Sequence, residues 1–203
     1  MNSTLLAPIG REDHPVSSSI MSHSTGRTSR LQPGRESPPH QVSSGLTQRA
    51  EWMKTILFIC TGNTCRSPMA EAICRHLMSG KDDFFIASAG VAAFDGAMPS
   101  LETMETLDRM GIPHEGQSSC LTAEMIRKAT LVLGMTTSHV RAARALVEDD
   151  PKASSKIQPL DPDGELPDPI GMGQSTYDSL GERLMSLIPE RLEALLNSED
   201  EQP

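Results

Sequence analysis

The sequence predicts an α/β fold in which helices cover both faces of a parallel sheet. Three short apolar runs have the length of buried strands, and they alternate with segments whose apolar residues recur at helical spacing. Strands that alternate with helices in this way indicate a parallel sheet buried on both sides. The chain of 203 residues is long enough for one such domain and a tail.

Each predicted element rests on a local pattern. The first strand, at 54–60, is followed by a Gly-Asn turn and by Ser67 and Pro68, which are typical cap and first-turn residues of a helix. Gly111 marks the end of a later helix, and Thr122 is a candidate cap for a short one. The predicted strands are 54–60, 84–88 and 130–135, and the predicted helices are 68–79, 99–110, 123–128, 137–147 and 176–196. An acidic turn is expected at 148–151 and a long loop, rich in Pro, Asp and Gly, at 159–173.

Residues 1–52 differ from this pattern. Residues 1–50 contain no Phe, Tyr or Trp and are dense in Ser, Pro, Gly and Arg. Such a segment buries too little apolar surface to offset the entropy lost on ordering. We therefore predict a disordered N-terminal extension at 1–52 and an ordered domain at 53–198.

Charge and composition exclude several classes of function. The net charge is −9, and residues 1–50 contribute +2, which leaves an acidic body that is poorly suited to nucleic acid. No apolar run approaches the ~20 residues that span a bilayer, and the N-terminus lacks the pattern of a signal peptide. The four cysteines include no Cys-x2-Cys pair, which argues against zinc. We expect a cytoplasmic protein without metal or cofactor.

The chemistry is predicted to lie between the first strand and the first helix. Cys60 ends the strand, and the next residues curl towards Arg66 at the mouth of the helix. Backbone N–H groups of such a turn form a nest for anions, and the helix N-terminus adds its positive dipole. Gly62 and Asn63 tolerate the positive φ angles that a tight turn needs. The predicted phosphate-binding residues are Thr61, Gly62, Asn63, Thr64, Cys65, Arg66 and Ser67.

These residue types suit nucleophilic attack on phosphate. A cysteine among such donors is expected to be held as the thiolate, which is the attacking species. The guanidinium of Arg66 can donate to two phosphoryl oxygens at once. The hydroxyl of Ser67 can donate to the sulfur and ease its departure.

The reaction also needs a proton donor for the leaving group, and three Asp-Pro pairs compete for that role. They are Asp150-Pro151, Asp161-Pro162 and Asp168-Pro169. Asp168 is preferred because it lies late in the long loop, shortly before the last helix. Asp161 and Asp163 are the alternatives.

Taken together, these motifs resemble the low-molecular-weight protein tyrosine phosphatases. The resemblance covers residues 53–196 and rests on Cys60–Glu71, Ser88-Ala89-Gly90, Leu131–Thr136 with His139, and Asp168-Pro169. It implies a four-stranded parallel sheet, Cys60 as nucleophile, Arg66 as phosphate clamp and Asp168 as general acid and then base. It also implies that Asn63 holds the loop in shape. His139 is expected either to bond to Asn63 or to face solvent.

Within this family the sequence is most similar to the protein arginine phosphatases. Thr64 replaces the larger aliphatic residue usual in tyrosine phosphatases, and Cys60–Ser67 matches the arginine-phosphatase loop in full. A Thr hydroxyl can bind a polar guanidinium or its water, whereas Ile favours an aromatic ring. The resemblance therefore implies phosphoarginine as substrate, with phosphotyrosine as the alternative. Ile170 departs from the family, which usually has Phe or Tyr after Asp-Pro.

Two further classes remain open. A thiol-dependent arsenate reductase would need a downstream pair of cysteines, and only Cys74 and Cys120 are available. A non-catalytic anion-binding or redox-sensing module could use Cys60 and Cys65 as a reversible disulfide. For the phosphatase, the expected partner is a phosphorylated protein, and the expected state is a monomer.

Overall fold

A computed structural model of the chain describes residues 53–197. The extension predicted at 1–52 and the last six residues lie outside this range. The described residues contain a four-stranded, all-parallel sheet in the order β2-β1-β3-β4. The strands are β1 (Lys54–Cys60), β2 (Phe84–Gly90), β3 (Leu131–Gly134) and β4 (Ile157–Pro159). The predicted fold class is confirmed.

The helices agree with the predicted pattern except near their ends. They are α1 (Arg66–Leu77), α2 (Leu101–Arg109), α3 (Ala123–Lys128), α4 (Thr137–Ala145), α5 (Pro151–Ser155) and α6 (Gln174–Asn197). The expected acidic turn is in part α5, because the carboxylate of Asp150 accepts a hydrogen bond from the amide of Ala153 at 2.9 Å and caps a short helix. Strand β4 was not predicted from its own pattern, since it is only three residues long.

The side chains of β1 alternate between two apolar cores. Ile56 and Phe58 lie in a core that also contains residues of α1, α2 and α6. Leu57 and Ile59 lie in a second core, with residues of α3, α4 and α5. Helices therefore cover both faces of the sheet, as expected.

Helix α2 buries only part of the face that its sequence predicts. The spacing of Leu101, Met104, Leu107 and Met110 predicts an inner face; Leu107 is buried and Met110 packs against the core, but 71% of the surface of Leu101 is exposed. The buried positions are Thr103, Thr106 and Leu107. The two threonine hydroxyls face polar partners: Thr103 donates to the carbonyl of Thr64, and Thr106 donates to Asp178. Polar contacts with the loop after β1 and with α6 thus decide the orientation of this helix.

The carboxyl ends of β1, β2 and β3 gather several loops at one edge of the sheet. The amide of Val91, after β2, donates to the carbonyl of Cys60 at 2.9 Å. The amide of Leu166 donates to the carbonyl of Met135 at 2.9 Å. Ligands of open parallel sheets bind at this edge. No helix between residues 53 and 197 combines the length and the apolar character needed to cross a membrane.

Gly90 allows the end of β2 to approach the loop after β1. A Cβ atom at this position would lie 2.5 Å from the carbonyl oxygen of Thr61 and 2.9 Å from the amide nitrogen of Asn63. Gly90→Ala should displace that loop, lower the free energy of unfolding by about 1–3 kcal/mol and reduce any activity of the loop.

Chemical denaturation measures this loss. Gly164→Ala is the matched control, because its Cβ atom would meet the Asp161 carboxylate only at an ordinary 3.5 Å. Equal stability of the two variants would show that the contact at Gly90 is not tight.

Candidate active site

The turn between β1 and α1 forms a cradle of backbone N–H groups. Cys60 is the last residue of β1, and α1 begins at Arg66, two residues earlier than predicted. No side chain caps the start of α1 at Cys65, so its first amide groups stay available to an anion. Asn63 has a φ of 55°, as expected for a tight turn, whereas Gly62 does not use positive φ. The expectation for Gly62 was wrong, because a single left-handed residue closes the turn.

The sulfur of Cys60 lies at the floor of this cradle. Only 2% of Cys60 is exposed. Its Sγ atom is 2.9 Å from the hydroxyl of Ser67 and accepts a hydrogen bond from the amide of Asn63 at 3.3 Å. Both donors favour an anionic sulfur. Ser67 therefore does not act as the helix cap that its sequence position suggested; it lies inside the first turn and contacts the cysteine.

A chain of hydrogen bonds sets the direction of the Ser67 hydroxyl. The carboxylate of Glu71 only accepts, so the hydroxyl of Ser88 donates to it at 2.5 Å. Ser88 then accepts from the amide group of Asn63 at 2.8 Å, and the second N–H of that group donates to Ser67 at 2.9 Å. With its oxygen already accepting, Ser67 can direct its proton to the Cys60 sulfur at 2.9 Å, in preference to the carbonyl of Ala89 at the longer distance of 3.4 Å.

The side-chain oxygen of Asn63 completes this arrangement. It accepts a hydrogen bond from the amide of Ser119 at 2.8 Å. All three polar functions of the Asn63 side chain are therefore used to fix the turn, which agrees with the role that the resemblance implied. No local pattern indicates that Glu71, Ser88 and Ser119 act together, because they come from three separate segments.

Arg66 is a buried cation at the mouth of the cradle. Only 4% of the residue is exposed. One terminal nitrogen donates to the carbonyl of Leu166 at 3.1 Å, and the other lies 2.6 Å from the carboxylate of Asp168. Its Nε–H is buried and has no hydrogen-bond partner among the residues that the structure describes. A buried, unsatisfied donor on a cation is costly, and a phosphate oxygen would satisfy it.

The three Asp-Pro pairs have different surroundings. Asp168 is half-exposed and contacts Arg66. Asp161 is buried against Arg183 at 2.6 Å, and that hydrogen bond lowers its pKa, so it remains a structural anion. Asp150 caps α5, and Asp163 is exposed. Asp168 is thus the candidate that lies beside the cradle.

His139 supports the cradle from α4, but not through Asn63. It is buried, its Nε2 atom is 2.9 Å from the hydroxyl of Thr61, and its Nδ1 atom is 2.9 Å from that of Thr136. Both expectations for this residue were wrong, since it neither bonds to Asn63 nor faces solvent. Burial lowers its pKa, and the nearby charge of Arg66 lowers it further. The neutral ring therefore links the two threonines.

Cys65 has a separate set of partners. Its sulfur lies 3.4 Å from the hydroxyl of Tyr177 on α6 and 3.6 Å from the hydroxyl of Ser100. Burial raises the pKa of Tyr177 to about 12, so the phenol keeps its proton. Tyr177 was not among the residues predicted for the site, although it lies three residues before Leu180, on the inner face that the spacing of Leu180, Leu184 and Ile188 predicts for α6.

Comparison with known proteins agrees with this geometry. The family model described as low molecular weight phosphotyrosine protein phosphatase matches residues 55–202. The chain belongs to this family.

The relatives include phosphatases of two kinds. A protein-arginine-phosphatase from Geobacillus stearothermophilus is 38% identical over 146 residues, which are 69% of this chain and 95% of the relative. The low molecular weight protein-tyrosine-phosphatase PtpB from Staphylococcus haemolyticus is 32% identical over 133 residues, covering 66% and 94%. The solved structure of the arginine phosphatase YwlE from G. stearothermophilus has a TM-score of 0.63 and 36% identity, covering 74% of this chain and 98% of that one. The resemblance predicted from the sequence is confirmed.

Cys74 and Cys120 are not part of the cradle. Cys74 is buried in the core, where desolvation raises its pKa to about 12, so its thiol is inert. Cys120 is exposed, and all four cysteines are free. These environments do not favour the disulfide relay that an arsenate reductase needs. Within residues 53–197, no cluster of three or more His, Cys, Asp or Glu side chains could hold a metal ion.

The lowered pKa of His139 predicts how stability depends on pH. Below its ordinary pKa of about 6.5, the unfolded chain binds a proton that the folded ring resists. The folded state should therefore lose stability as the pH falls from about 7 to about 5, although Asp168 and Glu165 near the ring oppose the shift. His139→Gln removes this contribution, so its free energy of unfolding should change less over the same interval.

Urea denaturation at several pH values gives the comparison. The pKa of His114 is lowered in the same sense, so the difference between variant and parent isolates the contribution of His139. Parallel pH profiles for the two proteins would contradict the assignment of a neutral, buried ring.

Proposed function

We propose that this protein is a cysteine-dependent protein phosphatase that hydrolyses phosphoarginine through a phospho-cysteine intermediate. One observation carries the proposal: the Cys60 sulfur accepts two hydrogen bonds at the floor of an amide-lined turn, and a buried guanidinium lies at the mouth of the same turn. Membership of a phosphatase family supports it. The phosphate-binding residues would be Thr61–Ser67, with Cys60, Arg66 and Asp168 as catalytic residues.

In the first step the thiolate of Cys60 attacks phosphorus and the bond from phosphorus to the substrate breaks. The amide groups of the turn and the guanidinium of Arg66 stabilise the charge on the phosphoryl oxygens. The leaving nitrogen or oxygen needs a proton, which the carboxyl group of Asp168 would donate. The contact between Arg66 and Asp168 supports this role, because it places the acid beside the phosphate clamp.

In the second step water attacks the phospho-cysteine and the sulfur leaves. The carboxylate of Asp168 would now take a proton from the water. The Ser67 hydroxyl would donate to the departing thiolate, and its fixed direction supports this role. Inorganic phosphate is released and the free cysteine is restored.

The assignment of phosphoarginine rests on Thr64 and on similarity. Thr64 is half-exposed, and its carbonyl accepts hydrogen bonds from the amide of Ser100 and the hydroxyl of Thr103, which fix the residue in the turn. The relative named protein-arginine-phosphatase is 38% identical, and the named tyrosine phosphatase is 32% identical. Phosphotyrosine is the second candidate, because both kinds of phosphatase occur among the relatives.

We expect the protein to act in the cytoplasm. Its expected substrate is a phosphorylated protein, and its expected oligomeric state is a monomer. Reducing conditions there would keep Cys60 as a reactive thiol. The four free cysteines of the structure are consistent with such an environment.

Two aspartate variants test the proton donor. Asp168→Asn should lower kcat by about 10²- to 10⁴-fold, because the amide cannot transfer a proton. Asp161→Asn should instead lower the free energy of unfolding, since it weakens a buried ion pair with Arg183, while kcat of the folded enzyme changes little.

Steady-state and burst assays of phosphate release measure kcat, and urea denaturation measures the free energy of unfolding. Cys60→Ser is the control that should abolish turnover and the burst. If Asp161→Asn lost activity and Asp168→Asn kept it, the assignment of the acid would be wrong.

A substitution at Thr64 tests the substrate. Thr64→Ile should lower kcat/KM for phosphoarginine relative to phosphotyrosine by about 10-fold, because a polar partner of the guanidinium is replaced by an apolar side chain. Paired assays on the two substrates give the ratio. Turnover of para-nitrophenyl phosphate shows that the turn is intact, and an unchanged ratio would argue against selection by Thr64.

A further inference from the structure

Exposed apolar side chains are concentrated around the mouth of the cradle. Phe94, Met98, Leu101, Ile170 and Met172 are between 64% and 88% exposed. We call these five residues the apolar collar. The other exposed large apolar side chains in the described part of the chain, Met53, Phe85 and Leu146, lie on elements away from these loops. Isolated exposed apolar residues are ordinary, but a group on adjacent loops marks an interaction surface.

Backbone contacts place the first part of the collar beside the cradle. The amide of Ala92 donates to the carbonyl of Thr61 at 3.0 Å, and the amide of Ser100 donates to that of Thr64 at 2.9 Å. Phe94 and Met98 lie between these two anchor points, and Leu101 follows directly. This segment therefore runs along the cradle and presents apolar side chains to solvent.

The second part of the collar follows the candidate acid. The carboxylate of Asp168 contacts Arg66 and also accepts a hydrogen bond from the amide of Ile170 at 3.2 Å. The amide of Met172 donates to the carbonyl of Pro169 at 3.0 Å, which closes the turn that carries both apolar residues. The two parts of the collar thus border the cradle from two different loops.

The loops around the cradle also have an unusual charge. Segments 91–103, 111–122 and 160–173 contain seven acidic residues and no Lys or Arg. Arg183 pairs with Asp161, and Arg141 lies near Glu165. Asp95 and Glu102 have no cationic partner among the described residues, whereas Asp163 lies against α6 in a pocket that Arg183 and Arg191 also line. An anion-binding cradle is therefore surrounded by loops that repel further negative charge.

We propose that the partner of this surface is a polypeptide segment in which apolar and basic residues flank the phosphorylated residue. This inference rests on the proposed function and specifies its substrate class. Cys60 and Arg66 are buried, so a phosphorylated side chain that reaches them brings the neighbouring residues of a peptide substrate towards the rim. Residues of an extended chain are about 3.8 Å apart, so the nearest neighbours on both sides meet the collar. Apolar neighbours would bury collar surface, and basic neighbours would meet the acidic loops.

Peptides with one phosphorylated arginine provide the test. The first has Leu and Lys flanks, the second Leu and Gln, and the third Gly and Glu; para-nitrophenyl phosphate serves as a substrate without flanks. The wild-type protein should show a kcat/KM about 10-fold higher for the first peptide than for the third. The advantage of Lys over Gln should shrink as salt is added, because exposed charges are screened.

Matched variants show which surface residues cause the preference for Leu and Lys flanks. Phe94→Ser should reduce the preference for Leu flanks mainly through KM and leave para-nitrophenyl phosphate turnover within about twofold. Phe85→Ser makes the same change at an exposed position of β2 and should leave the preference unchanged. Glu102→Lys, next to Leu101 of the collar, should reduce the preference for Lys flanks, whereas Asp83→Lys, at the opposite edge of the sheet, should not.

The outcomes separate this inference from the proposed function. If para-nitrophenyl phosphate is hydrolysed but the three peptides differ by less than twofold, the collar does not select flanks and the inference is overturned. If Phe94→Ser and Phe85→Ser reduced the preference for Leu flanks equally, the inference would be overturned as well. If neither the peptides nor para-nitrophenyl phosphate is hydrolysed, the proposed function itself fails.

Discussion

A sulfur anion can exist inside a protein only if hydrogen-bond donors replace the water that it loses. At Cys60 the amide of Asn63 and the hydroxyl of Ser67 fill that need. The other residues of the site mainly hold these two donors in place. The carboxylate of Glu71 orders the chain of hydrogen bonds, and Gly90 lets a neighbouring strand approach the turn closely.

The same reasoning applies to Arg66, because a buried guanidinium also needs partners. It finds them in the carbonyl of Leu166 and the carboxylate of Asp168, both on the loop that precedes α6. One cation therefore connects the cradle to the loop that carries the candidate acid. A phosphate that binds to Arg66 would therefore lie close to Asp168, the candidate proton donor.

The site separates two tasks in space. The floor, formed by backbone amides and a few fixed side chains, is suited to any phosphoryl group, since it contacts only oxygen atoms and the sulfur. The rim consists of long loops whose exposed side chains, such as Phe94 and Ile170, are free to differ without disturbing the floor. Under the proposed function, selection among substrates would belong to the rim and to Thr64, where the turn would meet the rest of the substrate.

The sequence by itself determined the parallel α/β class and the position of the turn between Cys60 and Arg66. These features depend on short stretches of chain: an apolar strand, a tight turn and a helix start leave a local signal. The same holds for the inner face of α6, where Leu180, Leu184 and Ile188 recur at helical spacing and are buried as expected.

Only the tertiary structure decided which distant residues meet. The partner of His139 is Thr61 rather than Asn63, Asp168 rather than Asp161 lies beside Arg66, and Leu101 points to solvent. Each depends on how separate elements pack, and in α2 the buried hydroxyl groups of Thr103 and Thr106 share the inner face with Leu107. The position of strand β4 left no local signal for the same reason, because three residues form a strand only when β3 is there to pair with them.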